Sequence, residues 1–215
     1  MTRALTRVTK TRRGYEDNVF INCPFDLAYK PIFDALIFVV HDSGFVARCA
    51  LEISDAAQNR LNKILNIVEE CRYGIHDLSR TELDPTNLLP RFNMPFELGL
   101  YVGCKWFGNR RQKSKSCLII DREPYRYQKF ISDISGQDIS YHNNDPELVL
   151  GLVRGWLRTE SQRPDIPGKV AISKRYRQFQ RKLPSICRKF RIQVDELTLA
   201  DYTHMVTEWL KQNTL

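Results

Sequence analysis

Hydrophobic and polar positions along this chain change period repeatedly, and the changes divide residues 18–159 into alternating strands and helices. Residues 18–23 (NVFINC) read as a buried strand that stops at Pro24. Residues 27–44 then set Ile32, Leu36 and Val39 or Val40 at helical spacing, with Gly44 as the stop. A second strand is expected over 45–52 (FVARCALE). An amphipathic helix follows over 55–72, with a start at Ser54 and Asp55 and with Leu61, Ile64, Leu65 and Val68 on one face. Residues 73–79 (YGIHDLS) form a short third strand, and 80–92 a polar loop punctuated by prolines. Residues 93–103 (NMPFELGLYVG) open a helix that is apolar all round, which predicts a buried one, with Gly99 and Gly103 allowing close approach. The chain continues with a strand over 115–121, a helix over 124–133, a weak strand over 137–142 and an amphipathic helix over 145–159.

Strands alternating with helices of this length predict an α/β fold: a flavodoxin-like parallel sheet of about five strands with helices on both faces. The segment 160–169, with two prolines and a glycine, marks a boundary. The expected organisation is a basic disordered tail (1–16), an α/β domain (17–160) and a small basic helical C-terminal extension (161–215). That extension is too short to fold comfortably alone, so it packs on the α/β domain or mediates self-association.

Composition narrows the class. With 215 residues, 42% hydrophobic and 27% charged, the chain has the make-up of a soluble globular protein with one sizeable core. The longest apolar run, 35–40 (ALIFVV), is far too short to span a bilayer, so no membrane contact is expected. The N-terminus lacks the apolar stretch of a secretory signal. Six scattered cysteines and four dispersed histidines have no ligand spacing, so we expect buried thiols, a cytoplasmic location and no metal. The net charge of +8 is lopsided: residues 1–150 carry 20 basic and 19 acidic side chains, residues 151–215 carry 13 and 6. Much of the excess lies in 173–191, where Arg175, Arg177, Arg181 and Lys182 are interleaved with aromatics. Such a segment is either a surface for nucleic acid or another partner, or a solvated helix face.

In an open α/β sheet the ligand lies beyond the carboxyl ends of the strands. That rule selects Asn22, Cys23, Pro24, Phe25 and Asp26 after the first strand, Glu52 after the second, Asp77 and Ser79 after the third, and Asp121 after the fourth. Asn93, Met94 and Glu97 join them at the start of the apolar helix. Several of these have plain structural alternatives. Asp77 fits a turn closed on Ser79, Asp26 the start of the first helix, Glu52 a solvated strand end, and Asp121 a cap. Glu97 also has a bland reading, because Pro95 suits a first helical turn and the helix dipole favours an acid there. Yet a carboxylate on a buried helix must be hydrogen-bonded or put to use. No GxGxxG or Walker loop is present.

Four stretches, VFINCPF, IHDLS, NMPFELGLYVG and KSCLIID, together resemble the nucleoside 2-deoxyribosyltransferase-like group across roughly residues 18–122. The layout, with its helix-borne glutamate, is also similar to TIR domains that cleave NAD. The resemblance implies that Glu97 is the catalytic glutamate, that Asp77 contacts the base or ribose side of the substrate, and that Phe25 lines the pocket. Asn-Cys-Pro stands here where the transferases carry Ala-Gly-Pro, which directs the expectation to the wider class, cleavage of an N-glycosidic bond in NAD or a related nucleotide or nucleoside. In that chemistry one carboxylate stabilises or captures the oxocarbenium centre and a second acid assists the leaving base, with Asp77 expected in the second role and Glu52 in reserve. No cofactor is required, NAD being a substrate. The resemblance further implies a homo-oligomer and suits a bacterial defence or toxin effector. The rival expectation is a non-catalytic nucleotide-sensing module whose basic extension engages nucleic acid or a partner.

Overall fold

The computed structural model describes residues 14–52, 55–83 and 88–213. Of the sequence expectations, Ser54, most of the basic tail and the middle of the 80–92 loop lie outside those residues. The alternation becomes an all-parallel sheet in the order β2-β1-β3-β4-β5, the flavodoxin-like order. Its strands are β1 (Asn18–Asn22), β2 (Val46–Arg48), β3 (Tyr73–Asp77), β4 (Ser116–Asp121) and β5 (Ser140–Tyr141). The helices are α1 (Lys30–Asp42), α2 (Arg60–Glu69), α3 (Asn93–Phe107), α4 (Pro146–Ser161), α5 (Lys169–Phe190) and α6 (Leu199–Gln212).

Alternate residues of the central strands feed opposite layers, because successive side chains of a strand point to opposite faces. Val19, Ile21, Ile75, Leu118 and Ile120 join α1, α4, α5 and α6 in the larger core. Phe20 faces α2 and Tyr101 of α3 on the other side, where Ile119 meets Met94 and Leu98. The run ALIFVV makes α1 the central helix of the larger layer, enclosed by the sheet and the three C-terminal helices. Phe38 of α1 stands 5.2, 5.6 and 6.2 Å, ring centre to ring centre, from Tyr176, Phe179 and Trp209. The 160–169 segment is itself anchored, Arg154 Nε donating to the Pro167 carbonyl at 2.8 Å and Ile166 lying buried. Among the described residues, no helix is long and apolar enough to cross a membrane.

Four local expectations need correction. The helix expected over 124–133 is replaced by two short 3-10 turns, Arg126–Lys129 and Ser132–Ile134. Arg126 is drawn inward, donating from Nε to Asp121 at 2.8 Å, from Nη1 to Thr81 at 3.0 Å and also to the Leu78 carbonyl, while Tyr125 takes a left-handed conformation. Helix α2 begins at Arg60 and is capped by Asn59, whose Oδ1 accepts from the Leu61 N–H at 2.9 Å. It buries Ile64, Ile67 and Val68, a face rotated from the expected one, so that Leu61 and Leu65 are exposed. The second strand is shorter than its apolar run, giving way to a 3-10 turn at Ala50–Glu52. Finally, α3 is apolar all round without being buried all round: Met94, Glu97, Leu98 and Tyr101 face inward, whereas Phe96, Gly99, Trp106 and Phe107 face solvent.

Candidate functional site

Strand order reverses between β1 and β3, so the switch point, where doubly wound sheets take their ligands, lies at the carboxyl ends of these strands, at Asn22 and Asp77. Asn22 is buried and gives both of its assigned bonds from Nδ2, one to His76 Nδ1 at 3.1 Å and one to the Met94 carbonyl at 2.8 Å. It therefore clamps the first turn of α3 to the carboxyl end of the sheet. His76 Nδ1 accepts that bond, and burial with the nearby Lys115 cation pushes its pKa down to about 3, so the ring is neutral. Tyr101 lies edge-on to His76 at 4.9 Å, room that only Gly74 leaves: a Cβ there would stand 2.7 Å from the Tyr101 ring.

Asp77, at the carboxyl end of β3, has no exposed surface. Its Oδ1 accepts from the Ser79 N–H at 2.7 Å and from the Ser79 hydroxyl, and its Oδ2 accepts from the Tyr29 hydroxyl and lies 3.0 Å from His142 Nε2. Ser79, His142 and Asp77 have the composition of a nucleophilic triad but not its polarity. His142 Nδ1 accepts from the Asn144 N–H at 3.1 Å, which leaves the proton on Nε2 facing Ser79 and Asp77. A ring nitrogen already protonated there has no site for the serine proton. The cluster is a buried staple that joins the carboxyl ends of β3 and β5 to the entry of α1.

The other acids at this edge are also engaged. Asp26 Oδ1 accepts from the Tyr29 N–H at 3.1 Å and lies 3.3 Å from Arg80 Nη2. Glu52 takes a two-pronged hydrogen bond from Arg48, with Nε at 2.8 Å and Nη2 at 2.6 Å. Asp121 is held by Arg126 and by the Arg122 N–H at 2.7 Å.

Glu97 is the exception. Helix α3 starts at Asn93, two residues before Pro95, so Glu97 lies beyond the first turn and caps nothing. Only 8% of the residue is exposed. Among the described residues its carboxylate has neither a hydrogen bond nor an ion pair, yet neither oxygen is sealed from solvent. Burial pushes its pKa up to about 7, and only the Arg60 guanidinium at the start of α2 works against that rise. A carboxylate left in this state changes charge near neutral pH.

The remaining sequence candidates divide between the two sides of the β1–α1 turn. Phe25 stacks edge-to-face on Phe33 of α1 at 5.5 Å. With Pro24 and Asp26 it walls a cavity of about 190 Å³ closed by Leu197, Thr198 and Tyr202 from the C-terminal segment. Glu97 and Met94 instead belong to the α3 layer across the sheet, and Asn93 is exposed at the helix start. Cys23 is enclosed between the two sides, and burial together with the carboxylates around it raises its thiol well above the ordinary range, leaving it unreactive. Sequence pattern missed Tyr29, His76, His142 and Arg60. The first three are internal to apolar stretches or far away in the chain, and Arg60 is one cation among many until the fold sets it near Glu97.

On α5, Arg175 is an internal tie, pairing with the buried Asp42 at 3.1 Å. Arg177 lies 3.3 Å from Glu147, and Arg181 and Lys182 are exposed. Among the described residues no cluster of three or more His, Cys, Asp or Glu side chains is arranged to hold a metal.

The fold is thus that of a doubly wound α/β protein with a flavodoxin-like strand order, and among the described residues Glu97 stands beside its switch point as a buried carboxylate without a partner. Comparison with protein-family models, with curated proteins and with solved structures gave no match.

Proposed function

We propose that this protein cleaves the N-glycosidic bond of NAD or a related nucleotide, with Glu97 as the catalytic carboxylate. The observation that supports this most is the isolation of Glu97: alone among the acids at the carboxyl edge that we describe, it is mostly buried, unpaired and ionises near neutrality. An anion held in a desolvated crevice stabilises the positive charge that builds at C1′ as the C–N bond breaks. The resemblance to deoxyribosyltransferases and NAD-cleaving TIR domains points to the same residue.

The role expected for Asp77 changes. A carboxylate enclosed by Tyr29, Ser79 and His142 has no free face to protonate a leaving base, so Asp77 serves as a positioning residue. A site with one available carboxylate suits a leaving group that needs no proton. The nicotinamide of NAD is one, because its pyridinium nitrogen takes the bond's electron pair and departs neutral. Water then adds at C1′ and releases its proton. A purine or pyrimidine base would leave as an anion or require an acid, so NAD is favoured over deoxynucleosides. Arg60, exposed and near Glu97, is suited to a substrate phosphate. The test is product analysis by mass spectrometry with wild type and Glu97→Gln: nicotinamide released only by wild type is expected, and equal release by both overturns the assignment.

A second reading has its own observation. The outer face of α5 presents Lys174, Arg177, Arg181, Lys182, Arg188 and Lys189 to solvent. If the crevice senses a nucleotide without turning it over, this face would engage nucleic acid. Salt-dependent nucleic-acid binding lost on neutralising Arg181 and Lys182, with no turnover of any nucleotide, would establish it over the first.

A further inference from the structure

Among the described residues, the side of α3 away from the sheet has no partner. Phe92, Phe96, Trp106 and Phe107 are 59, 54, 70 and 93% exposed. They follow one stripe whose centre is occupied by Gly99 and Gly103, diametrically across the helix from the buried row Met94, Leu98 and Tyr101. Glycine is a poor helix residue, retained where a backbone must be approached closely. Nothing among the described residues makes that demand: a Cβ built on Gly99 or on Gly103 meets no atom within 4 Å.

The order of the stripe indicates what could approach these glycines. Phe96 and Trp106 lie equally far on either side of Tyr101 in sequence, and Gly99 and Gly103 likewise. A twofold axis crossing the outer face of the helix at the level of Tyr101 therefore sets Phe96 against Trp106 of the other copy, and Gly99 against its Gly103. A pattern that is its own complement under a twofold rotation is what an isologous contact requires. Antiparallel helices also oppose their dipoles favourably. The area is adequate: aromatic rings carry about 150–250 Å² each, so the four exposed ones supply roughly 500–600 Å² per copy towards the ~800 Å² that a standard interface uses.

We infer that the outer face of α3 is a docking surface for a second copy of this chain, the two helices crossing antiparallel at Gly99 and Gly103. The dimer does not depend on the proposed reaction and is read by mass alone. Sedimentation of the full chain across the micromolar range should give twice the 25.2 kDa monomer. Phe96→Glu and Trp106→Lys should each be monomeric, and mixing the two should restore a dimer, since each opposes the other across the axis. Gly103→Leu should be monomeric while retaining the wild-type circular dichroism, which separates a lost interface from a lost fold. A wild type monomeric throughout, a Phe96→Glu variant that still dimerises, or monomeric variants that fail to rescue one another would overturn the inference. So would a monomeric wild type that co-purifies with a different protein on this face.

Discussion

Glu97 comes at a cost to the fold: it is a carboxylate without a partner among the described residues, and burial disfavours its charge. With a pKa near 7 in the folded chain against about 4.5 in the unfolded one, folding takes up a proton between those values, so this group lowers stability as pH rises from about 4.5 to 7 and its penalty is complete above. Glu97→Gln should therefore stabilise the protein at pH 8, by about 1–3 kcal/mol, and have little effect at pH 4, as thermal melts at the two pH values will read. Activity should show the opposite trend, rising with pH through about 7 as the carboxylate ionises. Removing Arg60, the charge that holds this pKa down, should move the rising limb to higher pH in Arg60→Ala; an unmoved limb would mean that another group controls it. Little of this was legible in sequence. The motif around Glu97 marked the residue and the start of its helix at Asn93, but the absence of a partner among the described residues and the proximity of Arg60 arise only once the elements are placed.

At the scale of elements, the site depends on how α3 meets the sheet. Asn22 ties the Met94 carbonyl to β1, and Gly74 makes room on β3 for Tyr101, so both fix the helix that carries Glu97. Asn22→Ala leaves the buried His76 Nδ1 unpaired and removes the tie from β1 to the Met94 carbonyl, and should cost about 1–3 kcal/mol, with turnover falling further than the melting temperature explains. Gly74→Ala forces a methyl against an immobile ring and should cost about 1–3 kcal/mol, read by denaturant unfolding. Element type was well marked in the sequence wherever the apolar run was long, as in α1 and α4. It failed at 124–133, where a helix-like pattern could not reveal that Arg126 is pulled inward to Asp121 and the Leu78 carbonyl. It also failed in a different way on α3: an all-apolar helix was read as a buried one, whereas its outer stripe is exposed. Periodicity shows which residues are apolar, not what covers them. The helix truly enclosed on all sides is α1.

For the whole molecule, the parallel sheet and its flavodoxin-like order follow from alternation and short connections, and the crevice from the rule of the switch point. The C-terminal segment was less legible, because its basic residues dominate its composition while Tyr176, Phe179 and Trp209 establish its place against α1. Those rings complete the larger core, so Phe179→Ala should cost about 3–5 kcal/mol and should lower the melting temperature of the whole chain in one transition rather than release the extension alone. The same segment walls the cavity beside Phe25, which links the extension to the edge where the ligand would lie. The central claim is that one carboxylate at that edge breaks an N-glycosidic bond. It is tested most directly by incubating wild type and Glu97→Gln with NAD and with a pool of deoxynucleosides at pH 6 and pH 8, and following released base by mass spectrometry. The account predicts nicotinamide from NAD with wild type only, faster at pH 8, and little base from deoxynucleosides. Release that is equal in the two proteins, or absent from the wild type on every substrate, would contradict it.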